Sequence, residues 1–317
     1  MNQQSHLWQC ADSCITLLPK HGRVWQVKIN DQDAFWQNPN WAGDWNAGGD
    51  RLWVSPEIDW NWKKIDRVDF QHYEVQTTMD GPNWQVVSLD DERCCIATQQ
   101  KIKHQRTANW IHIDQRRTFE RIKLDNLAGF DTAVAYQTVN SLQILEGTPG
   151  QPVDMWSLLQ IPGGGKIYIG LQRPAQMRDY FTPIPDEMHH EQERLLTLQI
   201  TGKKQYKVGI SPDCLSGAMA YVRPSVGGGK LVVYRKFTPQ FWRPYCDAPF
   251  TDQGTKGDAI QVYNDDGSFG GFGEMEYHTS SIVVGKNEQT LEDRCLTIVG
   301  HVPDAHWQDW KHHWLGL

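Results

Sequence analysis

Apolar and polar positions alternate with a period of two along most of the chain. The pattern runs through residues 23–29 (RVWQVKI), 73–79 (YEVQTTM), 84–89, 93–104, 109–124, 133–145, 166–171, 194–201, 206–211, 217–223, 230–237, 259–264, 273–284 and 295–302. Successive side chains on a strand point to opposite faces, so each segment predicts a strand with one face buried. Turn chemistry separates many of them: DGPN (80–83), GTPGQP (147–152), PGGG (162–165), SVGGGK (225–230) and NDDGSFGG (264–271) supply the residues that tight reversals require. Strands of this length joined by Gly-rich turns predict stacked antiparallel sheets, an all-β fold with little helix. Helical spacing is confined to a turn or two near 186–196 (DEMHHEQERLL) and to the tail at 304–315, where Trp307, Trp310 and Trp314 recur at i, i+3 and i+7. That stripe reads as packing.

A chain of 317 residues without a low-complexity linker is expected to form one β domain, residues 1–317. The net charge of −7, with acids and bases interspersed, offers nothing to a polyanion, so nucleic acid is not an expected partner. The start, MNQQSHLWQC, lacks the basic and apolar regions of a secretory signal, and no apolar run approaches the roughly 20 residues that span a bilayer. A soluble, cytoplasmic protein without membrane contact is the expectation. Seven cysteines without a C-x-x-C pair read as reduced, buried apolar residues. The doublets His189–His190 and His312–His313 diverge on either a strand or a helix, so neither makes a chelate. No metal and no cofactor are expected.

Composition changes the picture at tryptophan: there are 15, six of them between Trp36 and Trp62. Indoles mixed with Asn, Asp and Gly fill cores, and they also build walls against the apolar faces of sugar rings. Three segments carry candidate chemistry. In 47–62 (AGGDRLWVSPEIDWNW), alternation sets Leu52 and Val54 against Arg51, Trp53, Ser55 and Glu57, putting a cation, an indole and a carboxylate on one face. In 271–281 (GFGEMEYHTSS), Glu274, Glu276 and His278 share a face opposite Met275 and Tyr277. Groups so close cannot all stay charged without partners, so at least one pKa shifts toward neutrality and suits proton transfer. In 153–169 (VDMWSLLQIPGGGKIYI), Trp156 and Gln160 are placed toward a ligand. Asn140, Arg117, Lys207, Asp258, Tyr263 and Asn264 are further polar residues in or beside strands.

The segments GGDRLWVSPE, MWSLLQIPGGGKIYI, YKVGIS, GDAIQVYNDDG and GFGEMEYHTSSIVVG, in this order over roughly residues 45–300, resemble a group of bacterial proteins with the galactose mutarotase-like (aldose 1-epimerase-like) β-supersandwich. The resemblance implies a two-layer antiparallel sandwich whose concave face holds a sugar. MEYH (275–278) is similar to the family's Leu-Glu-x-Gln and makes Glu276 the implied base, with Glu274 or His278 as acid partner; Arg51 resembles the arginine that holds a sugar oxygen. The family's Asn-His-Ser reads Asn140-Ser141 here, so its histidines do not carry over. Arg51, Trp53, Glu57, Asn140, Trp156, Gln160 and Asn264 are the expected contacts to a small-molecule or oligosaccharide ligand. Three activities stay open: a sugar epimerase or mutarotase, a non-catalytic carbohydrate-binding module, and a lyase or hydrolase acting on an oligosaccharide.

Overall fold

The computed structural model describes residues 5–10, 12–42, 45–123, 127–252, 254 and 256–317. Two antiparallel sheets lie face to face. Among the described residues the front sheet has 11 strands, nine of them in the order His6–Cys10, Ser13–Leu18, Arg23–Ile29, Asp50–Ser55, Pro152–Pro162, Phe272–His278, Ile260–Asn264, Tyr206–Ile210 and Met177–Asp179. The back sheet has 10, running from His189–Gln192 at one edge to Gln85–Leu89 at the other. Five front strands matter below: β1 (Asp50–Ser55), β2 (Pro152–Pro162), β3 (Tyr206–Ile210), β4 (Ile260–Asn264) and β5 (Phe272–His278), adjacent in the sheet as β1-β2-β5-β4-β3.

Pleating sorts their side chains as the alternation predicts. Leu52, Val54, Met155, Leu159 and Met275 enter the core between the sheets. A polar knot shares that interior. Asp50 accepts from Arg117 Nη2 at 3.2 Å and from the Tyr136 hydroxyl at 3.0 Å, with Arg235 Nη2 at 3.8 Å. Arg117 also donates to the Gly22 carbonyl and to Asn140 Oδ1, while Arg235 reaches Ser157 Oγ and the Met275 carbonyl. All three charges are fully buried, a placement tolerated only because each is paired and hydrogen-bonded.

The outer face of β1, β2 and β5 is covered in turn. Residues 57–80 cross it, with the short helices α1 (Glu57–Trp60) and α2 (Thr77–Asp80). Trp62 is fully buried in this cover, its ring centroid 5.0–6.1 Å from those of Phe70, Tyr73, Phe181 and Phe250. Asp80 pins the far end by pairing with buried Arg23 and accepting from the Asn46 backbone N–H.

Two expected elements differ. Residues 73–79 are not a strand: Tyr73 makes a single bridge to Trp62, and Thr77–Asp80 turn into α2, because this stretch lies over a sheet face instead of joining an edge. Residues 186–196 are not helical beyond the 3-10 turn Asp186–Met188; they enter the hairpin His189–Gln192/Leu195–Ile200, since Leu196, Leu198 and Ile200 alternate into the core. The tail forms α3 (Trp307–Leu315), with Trp310 fully buried against Phe130 and Tyr234. The strand expected over 109–124 spans Trp110–Ile122, and residue 124 lies outside the described residues. No described helix is long and apolar enough to cross a membrane.

Candidate functional site

Register brings the chemistry of three chain segments into line. Trp156 of β2 stands between Trp53 of β1 and His278 of β5, and Leu158 between Arg51 and Glu276. Across the other side of β5, Glu274 is paired with Tyr263 of β4, which is paired with Lys207 of β3. Of these outward side chains, Arg51, Trp53, Trp156, Leu158, Lys207, Tyr263 and Glu274 line one small hollow that opens to solvent at its mouth. Trp53 and Trp156 meet edge to face at 5.5 Å and form one wall. Phe70, Tyr73, Phe181 and Phe269 face them from the covering segments. Arg51, Lys207, Glu57 and Glu274 are the charged groups on its lining.

Glu274 is the best-placed carboxylate. Its Oε1 accepts from Arg51 Nη2 at 2.9 Å and from Gln160 Nε2 at 3.0 Å, which leaves Oε2 to the hollow. Gln160 is itself held by Asn46 Oδ1 at 2.8 Å. Burial pushes the Glu274 carboxyl up to about 7; Arg51 works against that rise, and the neighbouring Glu276 adds to it. Arg51 lies over the Trp53 ring at 4.2 Å, and its Nε and Nη1, like Trp53 Nε1, have no hydrogen-bond partner among the described residues. Buried N–H groups are rarely left so; these three atoms are closed off from solvent beneath the lining of the hollow.

Glu276 lies deeper. It is fully buried, with Oε2 accepting from Trp156 Nε1 at 2.7 Å and standing 3.2 Å from Lys207 Nζ. Lys207 is almost as buried; it donates to Glu57 Oε2 at 2.8 Å and sits 4.6 Å over the Trp156 ring. Burial acts to lower the Lys207 pKa, but the charges of Glu276 and Glu57 outweigh it and hold the ammonium above its ordinary value. Asp247 anchors α1 by accepting from the Glu57 backbone N–H at 2.6 Å, and burial raises its carboxyl to about 6.

The structure therefore gathers Arg51, Trp53, Glu57, Trp156, Gln160, Glu274 and Glu276 at one place, Glu57 arriving on a helix instead of a strand. His278 is beside them but turned away: it stacks behind Trp156 at 5.6 Å, its Nδ1 is 3.3 Å from both Ser55 Oγ and Asp154 Oδ1, and it borders a separate polar recess. Burial acts to lower its pKa, and Asp154 more than reverses this. Asn140 and Asn264 are not part of the hollow. Asn140 belongs to the back sheet, where it is engaged by Arg117 and Asp293. Asn264 clasps the turn after Leu195–Ile200 through the N–H groups of Thr201 and Gly202 and the Lys204 carbonyl. Arg117 lies in the inter-sheet knot, and Asp258 pairs with Arg178 and Tyr180. Sequence reasoning missed the aromatic cover: Tyr73 fell in the misassigned 73–79 segment, and the signal for Phe269 was an aromatic inside a Gly-rich turn. Among the described residues no group of three or more His, Cys, Asp or Glu is disposed to hold a metal ion.

The two-sheet architecture with its outward hollow is the galactose mutarotase-like fold. It is similar to a provisionally named aldose 1-epimerase from Escherichia coli K12, with a TM-score of 0.59 at 11% identity over 94% of this chain and 99% of that one. A galactose mutarotase related enzyme from Lactobacillus acidophilus gives a TM-score of 0.53 at 11% identity, covering 95% and 99% of the two chains. A galactose mutarotase-like protein from Lactobacillus casei gives 0.52 at 8% identity, covering 93% and 100%. Within that fold, residues 37–295 match the model of a family of unknown function, DUF6786, and the chain belongs to that family. No curated protein matches the sequence.

Proposed function

We propose that this chain is a sugar isomerase of the aldose 1-epimerase type, with Glu274 as the base that takes the proton of the anomeric hydroxyl. The observation that carries this reading is a buried carboxylate on the wall of an indole-lined hollow, one oxygen fixed by Arg51 and Gln160 and its pKa pushed up to about 7 by burial. A base serves best when its pKa lies near the working pH. The Arg51 guanidinium and the Trp53 and Trp156 indoles line the hollow, a cation and apolar surface suited to a sugar's oxygens and C–H face. The names of the structural neighbours, aldose 1-epimerase and galactose mutarotase, support the same class. Glu276 is assigned a supporting part, orienting Trp156 and Lys207 from beneath.

A sugar-binding module without chemistry is the second reading, favoured by the ion pairs that hold Glu274 to Arg51 and Glu276 to Lys207. Glu274→Gln separates the two. As an isomerase, the variant loses anomer interconversion by about 10²–10⁴-fold while sugar affinity stays within a few-fold. A module converts no sugar in either form, and the substitution changes affinity alone.

A further inference from the structure

Opening a cyclic hemiacetal requires a base at the anomeric hydroxyl and a donor to the ring oxygen, which leaves C1 as a developing alkoxide. On the isomerase reading above, Glu274 fills the first role and the second is unassigned. Several polar groups face the hollow, Tyr73 among them, and two are already engaged. Arg51 is bound to the base itself. The Tyr263 hydroxyl donates to Asp265 Oδ1 at 3.1 Å. Lys207 spends one N–H on Glu57 Oε2 at 2.8 Å and stands 3.2 Å from Glu276 Oε2 in an ion pair, and an ammonium has three N–H groups.

Position agrees with this count. Glu274 and Lys207 lie on the same sheet face, each directly paired with Tyr263 of the strand between them. Adjacent strands are about 4.8 Å apart, so the two backbones stand roughly 10 Å apart, with Tyr263 on the same face between them. Both residues line the hollow.

We infer that Lys207 is a catalytic residue, the proton donor to the ring oxygen. The carboxylate of Glu274 takes the anomeric O–H proton and that bond's electron pair becomes C1=O. The bond from C1 to the ring oxygen breaks with its pair on oxygen, and the oxygen takes a proton from Lys207 Nζ. After rotation about C1–C2 the new hydroxyl attacks the other face of C1 and returns its proton to the Lys207 amine. The carbonyl oxygen recovers a proton from Glu274, and both groups end as they began. Glu57 and Glu276 keep Lys207 charged until an alkoxide-like oxygen arrives.

The test compares Lys207→Arg with the double variant Lys207→Met/Glu57→Gln, the second substitution removing one carboxylate that methionine would leave unpaired. Anomer exchange of a panel of aldoses is followed by NMR, with Tm recorded for each variant. The donor role predicts that Lys207→Arg keeps Tm near wild type yet loses at least tenfold in kcat with KM within a few-fold, because a planar, forked guanidinium does not put a donor where the compact Nζ stood. The double variant loses about 10²–10⁴-fold in kcat. If either variant keeps kcat within a few-fold of wild type, Lys207 is only a structural charge and the inference falls while the isomerase reading stands. If wild-type protein exchanges no aldose, both fall together.

Discussion

Glu274 shows what the hollow demands of a single residue. Its carboxyl is shifted up to about 7 chiefly by burial, so the folded protein binds that proton more tightly than the unfolded chain does. The favourable contribution is complete below the unfolded carboxyl pKa and is lost as pH rises through about 7. Unfolding free energy measured at pH 5 and pH 8 therefore falls more in wild type than in Glu274→Gln, by about 1–3 kcal/mol; equal slopes would show that the carboxyl is not shifted. The catalytic expectation runs the other way, with kcat/KM climbing toward pH 7 and levelling above it. Trp53 offers a second residue-scale test. Its indole N–H is buried without a partner among the described residues, and its ring is part of the hollow's wall, so Trp53→Phe leaves stability within about 1 kcal/mol and lowers sugar affinity through the lost indole surface, as titration calorimetry would read. Most of these residues were legible in the sequence because pleating fixes which neighbours share a face: Arg51 with Trp53, Trp156 with Gln160, Glu274 with Glu276. Asn140 was misplaced because alternation does not say which sheet a strand joins, and Asn264 because it falls on the face of β4 opposite Tyr263, where it holds a turn. Lys207 looked like one polar residue among several, its meaning visible only once β3 lay two strands from β5.

At the scale of elements, β1 works on both faces at once. Outward it presents Arg51 and Trp53; inward it presents Asp50, the acceptor shared by Arg117, Tyr136 and Arg235. Asp50→Ala leaves two buried guanidinium groups without their carboxylate and should cost about 3–5 kcal/mol in denaturant unfolding. A loss below 1 kcal/mol would mean that water reaches the knot. The contrast is α3, packed by Trp310 on the outer face of the back sheet. Trp310→Ala should cost about 3–5 kcal/mol and leave sugar affinity unchanged, because the hollow lies on the opposite sheet. The helix was readable from its i, i+3, i+7 indoles, whereas 73–79 deceived: alternating residues laid across a sheet mimic a strand when their partners are side chains instead of a ladder.

The whole molecule divides its work by layer. The back sheet and the inter-sheet core hold the fold, the front sheet supplies polar groups on its outer face, and residues 57–80 with the 181 and 269 loops close an aromatic cover over them. The two sheets were evident from alternation and Gly-rich turns. The cover was not, because its residues carry no period and acquire their role only from the surface beneath. On the proposed function, this covered hollow interconverts sugar anomers through Glu274. Exchange NMR between the α and β forms of aldoses, with wild type and Glu274→Gln side by side, tests it most directly. The expected result is exchange well above the uncatalysed rate in wild type and exchange at the uncatalysed rate in the variant. Equal exchange in the two proteins, whether both fast or both at the uncatalysed rate, would contradict it.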